Sequence, residues 1–371
     1  MLRFSSPAPY PVLQILRQNL RHNLMLIRSH VGKAKILIPV KANAYGCGLS
    51  QLIPFFVEEK VEYLGVANPH EGVLARSLGY KGVILNLGSF FPENADLFFH
   101  HRIHPTITDL WQVSFLEKRA QEKGMVIDVH VKLDVGMGRL GLKEENLSAF
   151  QKAFALTKHL RISGIFTHFP CADGRPGITL RQLSRFLQLS QRLIKELSLN
   201  REDLLLHAAN SYAMMRFPET HLDMVRPGLF FYGYFQNEKD RRRYHNLFPI
   251  KPSLRLIARP FSLRRLRRGD TVSYGSTYVC RKDDYPVGVF PLGYADGLPR
   301  ALSNKNISFS GHPLLGRVTM DQIVLGNVES DEPVEILGEK APSLEQWGDL
   351  SCSFAYEIMT GLGQRLRREL V

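Results

Sequence analysis

Along the first two thirds of the chain, short apolar segments rich in β-formers alternate with amphipathic stretches. The segments cover residues 35–41, 63–67, 82–88, 103–108, 126–134, 162–169, 204–210 and 224–233. Most are continuous apolar runs without strict alternation, as strands buried on both faces require. Between them Leu, Phe and Ile recur every three or four residues, most clearly in 183–197, which predicts helices packed against a parallel sheet. Eight such units in about 230 residues fit a closed (β/α)8 barrel of the TIM type better than an open sheet. After Gly233 the texture changes. Residues 235–248 are polar and basic and read as a linker. From Leu254 onward short strands alternate with turn signals such as Arg268-Gly269-Asp270, Asp283-Asp284, Ser310-Gly311 and Glu332-Pro333, and residues 354–368 read as a helical tail. The expected architecture is α/β, with an N-terminal barrel over residues 1–238 and a C-terminal mostly-β domain over 239–371.

Composition narrows the function class. The 371 residues are 44% hydrophobic and 22% charged, which excludes disordered and fibrous proteins. The longest apolar runs, such as 287–292, fall far short of the ~20 residues a bilayer crossing needs. Residues 1–11 lack the apolar core of a secretory signal. Four scattered cysteines, Cys47, Cys171, Cys280 and Cys352, argue against a disulfide framework and against a metal site. A soluble cytoplasmic protein without membrane contact or metal is expected. The net charge of +13 raises the question of nucleic acid, but residues 239–268 hold eleven Lys/Arg against one acid, Asp240, so all but +3 of the excess is local. A solvated surface is the simpler reading of that stretch.

Barrel enzymes keep their chemistry at the C-terminal ends of the strands. Here those ends carry Lys41, Lys132 with the nearby Arg139, His168, His207 with Asn210 and Ser211, and Arg226 with Gly228. Each alone is weak evidence, since strand-end lysines are usually solvated and buried histidines usually structural. Their convergence on one rim changes the odds. The loops after the seventh and eighth strands are where barrels commonly hold a phosphate, and there Ser211 offers a hydroxyl and Gly228 a close backbone N–H. A lysine at the mouth beside a phosphate cradle suggests pyridoxal phosphate held as a Schiff base.

At these residues the chain resembles the bacterial alanine racemase family, of PLP fold type III. The resemblance rests on VKANAYG (40–46), KLDVGMGRLG (132–141), HAANSYA (207–213), VRPGLFFYG (225–233), VSYGSTY (272–278), PLGYADG (291–297), GRVTMDQ (316–322) and Tyr356-Glu357. These motifs occur in the family's order across nearly the whole chain. The resemblance implies a two-base racemisation of alanine, supplying D-alanine for peptidoglycan. Lys41 would bind the cofactor and serve one face of the reacting carbon, and Tyr274 the other. A phenol, with a pKa of about 10 in water, needs polar support for that task, and His168 matches its partner. Arg226 matches the residue facing the pyridine nitrogen and His207 the residue that orients it. Tyr45, Asn210, Ser211, Gly228, Leu229 and Tyr356 match the phosphate surroundings, with Leu229 acting through its backbone. Arg139 and the backbone of Met320 match contacts to the substrate carboxylate. Lys132 and Asp321 stand behind these groups, and Lys132 matches a lysine carbamylated in some relatives. Because Tyr274 and Met320 come from the second subunit in the family, a homodimer with shared sites is implied.

Three departures stand out: Thr319 replaces a common cysteine, Gly72 a common alanine, and the stretch 10–24 lacks the acid that usually precedes Arg21-His22-Asn23-Leu24. The competing expectations are a broad-specificity racemase, a decarboxylase of the same fold, a non-catalytic PLP-binding homeostasis protein, and a nucleic-acid binder using the basic stretch. Arg226 argues against the decarboxylase, where an acid usually faces the pyridine nitrogen. The long β-region with Tyr274 argues against the non-catalytic protein.

Overall fold

A computed structural model describes residues 11–371, so the signal-peptide reading of residues 1–11 and the start of the 10–24 stretch fall almost wholly or partly outside the described residues. Strand β1 (Val12–Ile15) leads into a helix, Arg17–Val31. The barrel strands follow: β2 (Lys35–Pro39), β3 (Tyr63–Val66), β4 (Val83–Asn86), β5 (Ile103–His104), β6 (Thr106–Ile107), β7 (Ile127–Lys132), β8 (Leu160–Phe166), β9 (Leu205–His207) and β10 (Met224–Val225). All pair in parallel, in the orders β10-β2-β3-β4-β5 and β6-β7-β8-β9. The bridge between Asn210 and Arg226 links the segments that leave β9 and β10. Pro105, which has no N–H to give a ladder, splits the expected fourth strand into β5 and β6, while its carbonyl still accepts from the backbone N–H of His130 at 3.0 Å. The eighth strand is shorter than the segment 224–233 predicts, because Gly228–Phe231 turns into a helix.

Register decides which side chains share the interior. On β7, period-two alternation puts Asp128, His130 and Lys132 on one face. Gly164 pairs with His130, Phe166 with Lys132, and His207 with Phe166. The other face of β7, Ile127, Val129 and Val131, is buried and apolar, as the covered outside of a barrel requires.

The remaining strands are β11 (Leu254–Ala258), β12 (Ser262–Leu266), β13 (Thr271–Val272), β14 (Tyr278–Val279), β15 (Tyr285–Phe290), β16 (Ser308–Phe309), β17 (His312–Leu315), β18 (Ile323–Gly326), β19 (Val334–Leu337) and β20 (Arg367–Leu370). They form a sheet in the order β12-β15-β18-β17-β16, a small β13-β14 pair, and a four-stranded sheet β19-β11-β1-β20. In the last, β1 lies antiparallel to β11 and parallel to β20. The chain therefore divides into two compact units that are not continuous in sequence. Residues 24–44 and 53–231 make the barrel; residues up to 23, 45–52 and 232–371 make the β-rich unit. The β-rich unit takes in segments from before residue 53 because β1 pairs with strands more than 200 residues away.

Two local expectations are corrected. The supposed linker contains an ordered helix, Glu238–Tyr244, capped by Asn237, whose side chain accepts from Asp240 N–H at 2.8 Å, and Arg241 and Arg242 are paired with Glu238. The supposed helical tail is a short helix, Ala355–Thr360, followed by β20. Gly72 also finds its reason: in the helix Pro69–Ser77 a Cβ there would sit 2.6 Å from the Ile103 side chain. Among the described residues, no helix is long and apolar enough to cross a membrane.

Candidate active site

Lys41 stands just past β2 at the C-terminal rim of the barrel, exposed at the mouth. The four residues after it, Ala42, Asn43, Ala44 and Tyr45, all have φ between 53° and 55°. A run of left-handed backbone is costly for L-residues, and such strain gathers where a site over-determines the chain. Glu71 braces the turn, with Oε1 accepting from Ala42 N–H at 2.7 Å and Oε2 from Ala67 N–H at 2.7 Å. Although the side chain reaches solvent, desolvation by the surrounding barrel wall lowers the pKa of Lys41. Arg139 and Arg226 add to that effect and Glu71 opposes it.

Arg226 is 5% exposed, and both of its terminal nitrogens donate. Its Nη1 bonds His207 Nδ1 at 2.7 Å, and its Nη2 bonds the carbonyls of Thr167 at 2.6 Å and Ala208 at 3.1 Å. Burial pulls its pKa down to about 9, so it remains a cation at neutral pH. The Phe166 ring underlies the group: Arg226 Cζ lies 5.3 Å and Lys132 Nζ 5.6 Å from its centroid, and His207 stacks on it at 4.7 Å and 10°. Lys132 is 4% exposed. Burial lowers its pKa to about 8, helped by Arg139, Arg226 and Lys41 and opposed by Asp134. His168 is pushed down to about 3 by burial and then by Arg226, Lys132, Lys41 and Arg139.

The loop bearing Arg139 is tied by Asp134, whose Oδ1 accepts from the backbone of Gly136, Met137 and Gly138 at 2.9, 2.8 and 3.1 Å. Asn210 caps the helix Ser211–Arg216, accepting from Ala213 N–H at 3.0 Å and donating to Phe169 O at 3.2 Å. The buried Ser211 hydroxyl accepts from Phe230 N–H at 3.4 Å, in the helix that Gly228 and Leu229 open. The barrel thus brings Lys41, Lys132, Arg139, His168, His207 and Arg226 into one electrostatic neighbourhood. Four of these are lysine or arginine, and Glu71 and Asp134 are the acids that oppose their charge. Such a recess suits an anion: a phosphate ester, a phenolate or a carboxylate.

On the β-rich unit, Tyr45 is buried and stacks on Tyr232 at 4.9 Å, with the Tyr356 ring 6.1 Å away. Burial, and then Tyr356, raise its pKa. Tyr274 is 72% exposed and Met320 52%. Together with Ser273, Thr319, Asp321 and Gln322 they line an open recess of about 400 Å³. Ser273, held at φ 65°, projects Tyr274 from its turn, and its hydroxyl donates to Arg317 O at 2.7 Å. Thr319 does structural work in the facing turn: its hydroxyl donates to Gln322 O at 2.8 Å and accepts from Gln322 N–H at 3.1 Å. Asp321 accepts from Arg365 Nη1 at 2.7 Å, and the same guanidinium grips the buried Asp296.

Sequence reasoning missed Phe166, Glu71, Asp134 and His130. Phe166 and His130 carried a usable signal, since each lies two residues before a rim residue, His168 and Lys132, and so in the same strand phase.

Family models for the alanine racemase N-terminal and C-terminal domains match residues 15–236 and 253–370. An alanine racemase of Carboxydothermus hydrogenoformans is 33% identical over 95% of this chain and 96% of its own length. One from Halothermothrix orenii is 34% identical over 94% of each. Among solved structures, the alanine racemase of Clostridium difficile superposes with a TM-score of 0.89 at 28% identity, covering 98% of this chain and 95% of that one. The enzyme from D-cycloserine-producing Streptomyces lavendulae gives 0.88 at 28%, covering 99% and 98%. With both domain models matched in order and relatives this similar over nearly their full lengths, the chain belongs to the alanine racemase family.

Proposed function

We propose that this chain interconverts L- and D-alanine, with Lys41 and Tyr274 exchanging protons on opposite faces of the reacting carbon. The observation that carries the reading is the under-compensated cluster Lys41, Lys132, Arg139 and Arg226 at the barrel mouth, beside the buried Ser211 hydroxyl. The alanine racemase family depends on pyridoxal phosphate, which when bound withdraws electrons from an amino acid and acidifies its Cα proton. This donor set fits that anionic cofactor: Lys41 as the amine that holds it, Arg226 facing its ring nitrogen, and Ser211, Asn210, Gly228, Leu229, Tyr45 and Tyr356 as its phosphate surroundings.

Each protein group then has a physical task. The lowered pKa of Lys41 leaves more of its amine free to take up a proton. The guanidinium of Arg226 cannot give up its proton near neutral pH and is already committed to three acceptors, so it offers charge without protonating what it faces. A cofactor ring nitrogen left unprotonated by Arg226 would be the weaker electron sink, which would favour return of the proton to Cα over transamination. Arg139 and the backbone of Met320 would hold the substrate carboxylate. The lowered pKa of Lys132 supports its reacting with CO₂, because the neutral amine is the reactive form. His168, held neutral, can donate to or accept from the phenol of Tyr274 without adding another positive charge.

Exposure of Tyr274 and Met320 on the β-rich unit supports a homodimer in which a second copy supplies them to each barrel. The D-alanine formed would serve peptidoglycan synthesis in the cytoplasm.

The test is a pair of variants. Lys41→Ala should lose the visible absorbance of bound cofactor and nearly all racemisation. Tyr274→Phe should keep that absorbance, lose most racemisation in both directions, and slow exchange of the Cα proton with solvent for one enantiomer more than for the other. Full activity in both would remove these two residues from the mechanism.

A further inference from the structure

Below the rim, the barrel interior holds a polar chain that the reaction as described does not use. His207 Nε2 lies 3.0 Å from His130 Nδ1, both rings are buried, and their centroids are 5.2 Å apart at 70°. The direction of this chain follows from donor inventory alone. Arginine has no acceptor, so at 2.7 Å from Arg226 Nη1 the His207 Nδ1 must accept. The hydrogen of the neutral ring is then on Nε2, and His130 Nδ1 must accept it. We propose that His130 is a positioning residue for the racemisation inferred above: it anchors the His207 ring, and through it the Arg226 guanidinium.

Two further observations carry the idea. A ring whose N–H donates becomes a better acceptor at its other nitrogen, since bonds in a chain polarise one another. His130 thus strengthens the grip of His207 on Arg226. Second, the residue opposite His130 on β8 is Gly164, and a Cβ there would overlap His130 Nδ1 and Cε1. The bare backbone lets the imidazole lie where its Nδ1 faces His207. Among the described residues, the hydrogen-bonded chain stops at His130. His104 follows at 6.1 Å between centroids, with its Nε2 3.8 Å from Asp128 and its buried Nδ1 without a partner among those residues.

The test uses cofactor-free protein labelled with ¹⁵N-histidine, the His207 signals being assigned as those lost in His207→Gln. Wild type should show His207 protonated on Nε2 alone, with that N–H protected from solvent exchange. His130→Leu should shift the signal and speed its exchange roughly tenfold, the scale of one lost hydrogen bond. His130→Asn, which keeps an acceptor near the Nδ1 position, should restore it. Gly164→Ala should reproduce the His130→Leu shift by displacing the ring, and it decides the matter if His130→Leu does not fold. In the loaded enzyme, kcat of His130→Leu should fall roughly tenfold with KM little changed, and His130→Asn should recover most of it. A folded His130→Leu or Gly164→Ala with an unaltered His207 signal and unaltered kcat would overturn the proposal. A wild-type protein that binds no cofactor would instead sink the functional reading, and the His207 signal would still decide this one.

Discussion

Arg226 Nη1 donates to His207 Nδ1 at 2.7 Å inside the barrel, beneath the rim that carries Lys41. The bond does two things. It satisfies part of a buried cation, and it fixes the plane in which the guanidinium presents its remaining N–H groups. His207→Leu should therefore cost stability, because a buried charge loses an acceptor; roughly 2–4 kcal/mol is expected. Urea unfolding of the cofactor-free protein measures it. A loss under half a kcal/mol would show that the two carbonyl acceptors suffice.

Three histidines of the barrel, His130, His168 and His207, are held neutral, with pKa below the ordinary 6.5 chiefly by burial. Unfolding frees them to bind protons below that value, so the unfolded chain takes up more protons than the folded one. The stability these histidines contribute is therefore full above about pH 6.5 and is lost as the pH drops toward 3. Three extra protons correspond to a slope of about 4 kcal/mol per pH unit near pH 5. Chemical denaturation of the cofactor-free protein at pH 7, 6 and 5 gives the slope. His168→Asn should flatten it by one proton's worth, and an unchanged slope would mean that His168 titrates normally.

Lys132 acts with the same sign in a higher pH window. Its pKa is about 8 in the fold against about 10.4 in an unfolded chain. Below pH 8 the fold carries the cost of a buried ammonium, and that cost fades as pH rises from 8 to about 10.4. Lys132→Met should accordingly stabilise the cofactor-free protein at pH 7 by ~1–3 kcal/mol, with the gain shrinking above pH 8. Melting curves at pH 7 and pH 9.5 separate this from ordinary packing gains, which would not depend on pH. The same variant should lower activity, since the amine is lost from the site.

Much of this site was legible before the structure, for a physical reason. Barrel strands end at a rim, and while one charged or hydroxyl side chain after an apolar run is usually just solvated, several converging on the same rim point to chemistry. Lys41, Lys132, His207 and Arg226 all stood out that way. The residues that were missed lie inside runs. His130 and Phe166 look like ordinary members of buried strands, and only register shows that they meet His207 and Lys132. Glu71 was missed because it acts at a distance of 29 residues, through the Ala42 backbone. The exchange of β1 into the β-rich unit was unreadable for a similar reason, since periodicity reports which face is buried but not against which strand. In 235–248 the density of charge concealed a helix whose cap, Asn237, and whose Glu238–Arg242 pair were both local and readable.

Sharing of sites between subunits has its own test. Lys41→Ala and Tyr274→Phe should each be nearly inactive as pure proteins. After subunit exchange, a hybrid dimer would contain one intact site, and activity should recover toward a quarter of wild type if exchange is random and the two chains are equal. Exchange is followed by a mass tag on one variant. No recovery despite demonstrated exchange would place Lys41 and Tyr274 of one site on the same chain.

The central claim is tested most directly by incubating purified, cofactor-loaded protein with L-alanine and resolving the product on a chiral phase. D-alanine should accumulate until the two enantiomers are equal, and the visible band of the bound cofactor should vanish on borohydride treatment, with L-serine converted more slowly. A band without any D-alanine would contradict the racemase reading while leaving the cofactor site intact, and no band after saturating cofactor would contradict both.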